Sequence, residues 1–475
     1  MRGKVWAAIL TPVVVLGALG AYAWADAEDL VPGVLTNAPA QVPPAPFVTA
    51  SPVAVEPTPS GPVAQLDPNA AIPSSAAVEA LAAQLRADER TGDSTNVAVL
   101  DYLTGEYVGG ISPDDTQVPA STTKMLTAAA ALHALGPDST TTTAVTWDPT
   151  TDTLTLVAGG DLMLAAGEGH HGIGHAGEID QANGWAGLGD LAQMARTALG
   201  ADAPATINVA VDDSAFPGPA WPEAWPEYAR VNGYAAPVTG IAVNVARVEG
   251  DGYGDRHQDP SLAAAQDFAD ALEAEGFQVG DVTHGVSPAD AAVVATVESA
   301  PLGLVSEYFL AVSDNTIAEV TGRVLAMETG QSVDPEGAAA ATIAQLSAMG
   351  VDTAGLTLFD GAGFSEDNLI SPHQLASTLV ASRTDPNADE LVNYMALGGL
   401  EGTVKSRYAD TSAAGYLRAK TGSLTGVTTL TGIVTTADGR VLAFATMADG
   451  MPYGQSLPKA AIDEFVTALA DCGCE

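Results

Sequence analysis

Three short polar motifs stand far apart along this chain, in the order Ser121-Thr122-Thr123-Lys124, Ser313-Asp314-Asn315 and Lys420-Thr421-Gly422-Ser423. A fold that gives them one task must bring three distant stretches into one pocket. The chain holds only five lysines, and two of them sit in these motifs. On a helix, a serine three residues before a lysine shares its face, one turn away. A helix start also offers free N–H groups and the positive dipole end, which favour the anion formed when a carbonyl is attacked. A lysine desolvated there, with a second cation nearby, gives up its proton more readily and can act as a base. The set reads as a serine acyl-transfer site that handles its proton with lysine rather than histidine.

Singly, each motif has a plainer explanation. Ser121 reads as a helix cap with Lys124 solvated behind it, and Ser313-Asp314-Asn315 as a cap between helices 302–311 and 315–328. Lys420 reads as the protective charge of an edge strand. Together they support another reading. Ser313 can pass a proton to a leaving amine, and Asn315 can hold Lys124 and a substrate amide. Lys420 supplies a fixed cation, Thr421 and Ser423 offer hydroxyls to a carboxylate, and Gly422, lacking Cβ, lets a substrate backbone come close.

The three motifs in this order resemble those of penicillin-binding proteins and serine β-lactamases. Further matches are Gly159-Gly160-Asp161, Asp212-Asp213-Ser214, Gly218-Pro219-Ala220-Trp221-Pro222, Asp360-Gly361-Ala362-Gly363 and Gly402-Thr403. With these, residues 77–470 resemble the class C low-molecular-mass penicillin-binding proteins, the D-alanyl-D-alanine carboxypeptidase/endopeptidase family. Two departures stand outside the three motifs: Leu162 where the family commonly has Pro, and Ala362 where Ser is usual. The resemblance implies an α+β, β-lactamase/transpeptidase-like fold, an antiparallel sheet flanked by helices, with an inserted α/β subdomain. It makes Ser121 the acylated nucleophile, Lys124 its base and Ser313 a proton relay. Asn315, Lys420, Thr421, Gly422 and Ser423 bind substrate, and the N–H groups of Ser121 and Ser423 form the oxyanion hole. The implied partners are peptidoglycan stem peptides, with β-lactams as inhibitors and no cofactor. The rival readings are a β-lactamase or esterase on the same scaffold, and a non-catalytic wall-binding protein.

Composition sets the surroundings. Asp and Glu number 58 against 17 Lys and Arg, a net charge of -41. Such a surface repels nucleic acid and anionic lipid. Arg2 and Lys4 precede an apolar run from Val5 to Ala25, which reads as a secretory signal or an uncleaved membrane anchor and sends the rest of the chain out of the cytoplasm. Residues 26–75, rich in Pro and Ala, read as a spacer. The catalytic part then takes 76–140 and 297–475, with an inserted region at 141–296.

Within the folded part, periodicity predicts helices at 77–90, from Thr122, and at 188–199, 261–275 and 458–470. It predicts strands at 96–103, 107–111, 153–158, 206–211, 414–419, 427–436 and 440–448. Four smaller features are weaker. His170, His171 and His175 share a Gly-rich loop that is a poor platform for zinc, so no metal is expected. Trp221 and Trp225 are read as pinning a Pro-rich loop to the core rather than stacking on sugar. Arg407 either meets a substrate carboxylate or pairs with a surface aspartate. Cys472 and Cys474 could close only a tiny ring.

Overall fold

The computed structural model describes residues 19–26, 67–92, 94–171, 182–200, 203–250, 252–451 and 456–472. The chain divides into an N-terminal unit, 1–65, and a main unit, 66–475. Of the first unit only 19–26 are described, as a helical stretch, so most of the apolar run lies outside the described residues. Among the described residues no helix is long and apolar enough to cross a membrane.

The main unit is built on a six-stranded antiparallel sheet. Its strands are β1 (Ser94–Asp101), β2 (Tyr107–Ile111), β10 (Ala396–Leu397), β11 (Leu417–Leu424), β12 (Val427–Thr435) and β13 (Val441–Asp449), in the order β10-β11-β12-β13-β1-β2. Successive side chains of a strand point to opposite faces, and here both faces are covered. Ala98 and Leu100 of β1, with Ala443, Ala445 and Met447 of β13, face one core, packed with Met125, Leu126, Leu375 and Leu379. Val97, Val99, Leu442 and Phe444 face the other, against Val78, Leu85, Ile462 and Val466. Sheets buried on both sides read as continuous apolar runs rather than alternating ones, which is how β1 and β13 read.

Helices α1 (Ser75–Arg86) and α10 (Ser456–Ala470) cover the second face. The first face carries α2 (Thr123–Leu135), α6 (Leu302–Val312), α7 (Asn315–Glu328), α8 (Pro335–Ala348) and α9 (Pro372–Thr384). Two of these are sealed in. Every residue of α2 from Thr123 to Leu132 is buried, as is every residue of α7 from Asn315 to Ala326. A helix apolar all round belongs in the middle of a core. The alanine run Ala128–Ala131 lets neighbours approach α2 from every side.

A second sheet, order β8-β6-β4-β3-β9, uses β3 (Thr142–Asp148), β4 (Thr153–Val157), β6 (Thr206–Asp212), β8 (Gln278–His284) and β9 (Ala292–Glu298). It packs on α3 (Leu188–Leu199) and α5 (Pro260–Ala274) through a core of its own. The outgoing strand β3 pairs with the returning strand β9, Thr142 opposite Glu298. The two crossings are tied by Ser299 N to Thr141 O, 2.9 Å, and Leu302 N to Ser139 O, 2.8 Å. A short pair, β5 (Asp161–Leu164) and β7 (Ile241–Val243), and the one-turn helix α4 (Glu227–Val231) complete the unit.

The structure corrects three local expectations. The contacts of the main unit begin before Ser75: Arg440, paired with Asp101, donates Nη1 to the carbonyl of Pro68 at 3.0 Å, so the end of the Pro-rich segment is fastened to the sheet. The α-helix expected from Thr122 starts at Thr123, behind a 3-10 turn over Ala120–Thr122. The strand expected to stop at Ala419 runs on to Leu424, because pairing with β12 continues from Leu417 through Leu424. The third motif is therefore inside a strand.

Candidate active site

Ser121 sits in the 3-10 turn ahead of α2, and three hydroxyls hold that turn. Thr122 Oγ1 donates to Pro119 O at 2.7 Å, Thr123 Oγ1 to Ala120 O at 2.9 Å, and Thr429 Oγ1, from β12, also to Pro119 O at 2.7 Å. Ala120 adopts φ 48°, a left-handed conformation costly for a residue with Cβ. Strain of this kind persists only where surrounding contacts over-determine it.

Gly422 explains why the turn can lie so close to β11. A Cβ there would fall 2.1 Å from Thr429 Oγ1, 2.8 Å from Pro119 O and 3.1 Å from Ala120 Cβ. The space expected for a substrate backbone is filled by the protein's own serine-bearing turn.

Lys124, in the first turn of α2, is fully buried. Its Nζ lies 2.9 Å from Ser121 Oγ, 2.6 Å from Asn315 Oδ1 and 2.5 Å from Ala362 O. Burial lowers its pKa to about 7, against the opposing pull of Asp360 and Asp314. A neutral amine has two N–H bonds and one lone pair. Asn315 Oδ1 and Ala362 O can only accept, so they take the two N–H groups. The lone pair is left for the Ser121 O–H.

The Ala362 carbonyl is aimed by Asp360. This buried carboxylate accepts from Ala362 N at 2.9 Å, Ser365 N at 2.7 Å and Gly363 N. Gly363 needs φ +84°, and a Cβ on it would strike Ala120 O at 1.9 Å. Beneath the loop, Glu319 Oε2 accepts from Gly361 N at 2.8 Å and pairs with Arg323, both side chains fully buried on α7. Arg323 reaches on to Pro219 O at 3.0 Å.

The second motif is the corner between α6 and α7. Ser313 ends α6 at φ 62°, and Asp314 Oδ1 caps α7 by accepting from Thr316 N and Ile317 N. The segment 234–247 grips this corner residue by residue. Arg247 Nη2 meets Asp314 Oδ2 at 3.3 Å, Asn315 Nδ2 donates to Tyr234 O at 2.8 Å, and Ala236 N donates to Thr316 Oγ1 at 2.9 Å.

Lys420 comes from β11, just beyond the two residues paired with β10. It too is fully buried, and its Nζ donates to Ser313 Oγ at 2.8 Å and Thr421 O at 2.9 Å. Burial, and after it the charge of Lys124, push its pKa well below the usual lysine range. Thr421 is partly exposed, with Oγ1 2.9 Å from Thr403 Oγ1, and Ser423, two residues on, lies on the same face of β11. The structure thus brings Ser121, Lys124, Ser313, Asn315 and Lys420 into one linked cluster, with Thr421 and Ser423 at its rim.

Other candidates lie elsewhere. Arg407 pairs with Asp463 at 2.6 Å on α10. Trp225 is buried, edge-on to Trp221 at 5.2 Å and to Phe364 at 5.3 Å, which pins the Pro-rich loop to the core. His171 pairs with Asp190, while His175 and Cys474 lie outside the described residues. Four participants had no role in the motif reading: the Ala362 carbonyl, Asp360, Arg247 and the Tyr234 carbonyl. Asp360-Gly361-Ala362-Gly363 carried a signal for the first two, because an aspartate ahead of glycines marks a turn.

The arrangement can move a proton from a serine hydroxyl to a buried amine, and it holds a second amine beside a second hydroxyl. Comparison with known proteins agrees. The family model described as D-Ala-D-Ala carboxypeptidase 3 (S13) matches residues 77–254 and 245–472. Carboxypeptidase Rv3627c of Mycobacterium tuberculosis is 33% identical over 88% of this chain and 89% of its own length. Carboxypeptidase DacB of Mycolicibacterium smegmatis is 35% identical over 75% of this chain and 76% of its own. The crystal structure of penicillin binding protein 4 from Haemophilus influenzae superposes with a TM-score of 0.65 at 18% identity, over 82% of this chain and 99% of that one, and shares the fold. With serine, lysine and family model in agreement, the chain belongs to the D-Ala-D-Ala carboxypeptidase 3 (S13) family.

Proposed function

We propose that this serine D-Ala-D-Ala carboxypeptidase works outside the cytoplasm, on the stem peptides and peptide cross-links of peptidoglycan, through an acyl-Ser121 intermediate. The observation that carries the proposal is the 2.9 Å approach of Lys124 Nζ to Ser121 Oγ, in a site that lowers the lysine to about pH 7. Neutral Lys124 takes the Ser121 proton as the hydroxyl oxygen attacks the carbonyl carbon of the penultimate D-Ala. The N–H groups of Ser121 and Ser423 receive the developing oxyanion. Ser313, hydrogen-bonded to Lys420, relays a proton to the departing D-Ala amine. Lys420, Thr421 and Ser423 hold the terminal carboxylate. Water then releases the acyl group and restores Ser121. A penicillin follows the same first step, but its opened ring stays tethered, so the adduct persists.

Arg2 and Lys4 ahead of the apolar run support export and orientation, as signal or as anchor. The experiment is D-Ala release from a synthetic pentapeptide, run beside a cross-linked dimer, together with mass mapping of a penicillin adduct. Release of D-Ala and an adduct on Ser121 are expected. No adduct, or an adduct that survives Ser121→Ala, overturns the proposal.

A further inference from the structure

The Gly159-Gly160-Asp161 motif has no part in the acyl-transfer site, yet it lines a cavity. That cavity, about 620 Å³, lies at the seam where the chain passes between the two sheets. Its volume is within the range of small-molecule pockets, roughly 300–1,000 Å³. Thr141, Thr142, Ser299 and Ala300 of the two crossings form part of the wall. The last turn of α2, at Ala134 and Leu135, forms another. At 1.5 Å rise per residue, that turn is roughly 15 Å along the helix from Lys124, so the cavity is distinct from the serine pocket. One side of α7 closes it with Ile317, Val320 and Val324.

The lining is mixed: Leu162, Val320 and Val324 belong to its aliphatic part, Ser139, Thr140, Thr141, Thr142 and Ser299 to its polar part, and Asp161 and Thr321 add two further polar groups. Asp161 is 4% exposed, and its Oδ1 accepts from Met163 N at 2.8 Å. Among the described residues its Oδ2 has no protein partner. Thr321, 7% exposed, likewise has no protein partner for its hydroxyl among the described residues. Both residues line the cavity, so a molecule inside it can supply the hydrogen bonds that the protein does not. Burial raises the Asp161 carboxyl to about 6, which still leaves it ionised in neutral solution. Glu328 adds a second carboxyl to the lining, and among the described residues no lysine, arginine or histidine lines the cavity. A carboxylate that faces a cavity with no cation in its wall attracts a cationic ligand.

We infer that this cavity is a binding site for a small aliphatic amine, whose ammonium group meets Asp161 Oδ2 and Thr321 Oγ1 while its hydrocarbon body lies against Leu162, Val320 and Val324. The aliphatic part of the lining suits a hydrocarbon body, and the two carboxyls disfavour an anion. The site needs no covalent step and is independent of the acyl-transfer chemistry.

The test is isothermal titration of the full chain with n-hexylamine, in the absence of any acyl donor, with 1-hexanol as the neutral counterpart. One-to-one binding of the amine is expected, with hexanol at least about tenfold weaker, since a charge-assisted hydrogen bond is lost. Asp161→Asn keeps an acceptor for Met163 N and should weaken the amine by about tenfold or more. The melting curve checks that this variant is folded. If it is not, Thr321→Val carries the test, with binding expected about threefold weaker from the loss of one neutral hydrogen bond. No binding by the parent protein, hexanol binding as tightly as the amine, or unchanged affinity in the folded variant each overturns the inference.

Discussion

Lys420 Nζ donates to Ser313 Oγ at 2.8 Å, joining strand β11 to the corner between α6 and α7. The charge of Lys124 disfavours a proton on Lys420. Two buried amines in one pocket need not carry two charges. In the proposed mechanism, a substrate carboxylate arriving at β11 favours the charge on Lys420, which leaves Lys124 free to accept a proton from Ser121.

The rate of acylation by a penicillin should rise with pH through about 7 and level off above it. Below that point Lys124 holds its proton and cannot take another; above it the lone pair is available. Lys124→Arg stays protonated throughout and should show no adduct at any pH. Second-order acylation rates between pH 5 and 9 check this, and a profile that falls with pH counts against Lys124 as the base.

Masking the carboxylate should slow the reaction in a defined way. A penicillin methyl ester lacks the group that Lys420, Thr421 and Ser423 hold in the proposed mechanism. Its acylation rate should be lower by at least about tenfold, the cost of one charge-assisted hydrogen bond. In Lys420→Met the acid and the ester should react at similar rates. Stopped-flow comparison of the four combinations isolates the carboxylate contact.

Gly422→Ala should damage catalysis without unfolding the sheet. The added methyl collides with Thr429 Oγ1 and Pro119 O, so the Ser121 turn must lift away from β11. A displacement of about 1 Å at a reacting group can cost about a hundredfold in rate. Acylation kinetics beside a thermal melt test this. Near-normal rates would show that the turn has another resting place.

The buried pair on α7 makes a stability prediction. Arg323→Met leaves Glu319 buried without its cation and should cost about 3–5 kcal/mol. Replacing both by Met should recover much of that loss, because no lone charge remains. The double variant should still acylate more slowly than the parent protein, since Gly361 N loses its acceptor and the loop carrying Ala362 O slackens. Urea unfolding and acylation rates separate the two effects.

The clustered side chains were legible in the sequence because their chemistry is written in residue type and spacing. Ser121 and Lys124 are one helical turn apart wherever the surroundings place them. The groups that aim them were less legible. Ala362 contributes a carbonyl, which every residue has, and only the turn made by Asp360 points it at Lys124. Gly422 looked like room for a ligand because sequence does not reveal which chain segment fills the space beside a glycine. Two helices also went unread. In α8 the alanines leave little contrast between faces, although Asp334-Pro335 ahead of them is a start signal. In α9 the capping box of Ser371 and Gln374, with Pro372 between, was present but overlooked.

Segment 234–247 holds three consecutive residues of the α6–α7 corner: Asp314 through Arg247, Asn315 through the Tyr234 carbonyl, and Thr316 through the Ala236 amide. Trimming the protein back to its six-stranded sheet and covering helices would therefore not yield a smaller working enzyme. Every side chain of the cluster would survive the cut, but Ser313 and Asn315 would stand on a corner stripped of its buttress. Attempts to shorten this scaffold, or to graft its chemistry elsewhere, must carry that buttress with them.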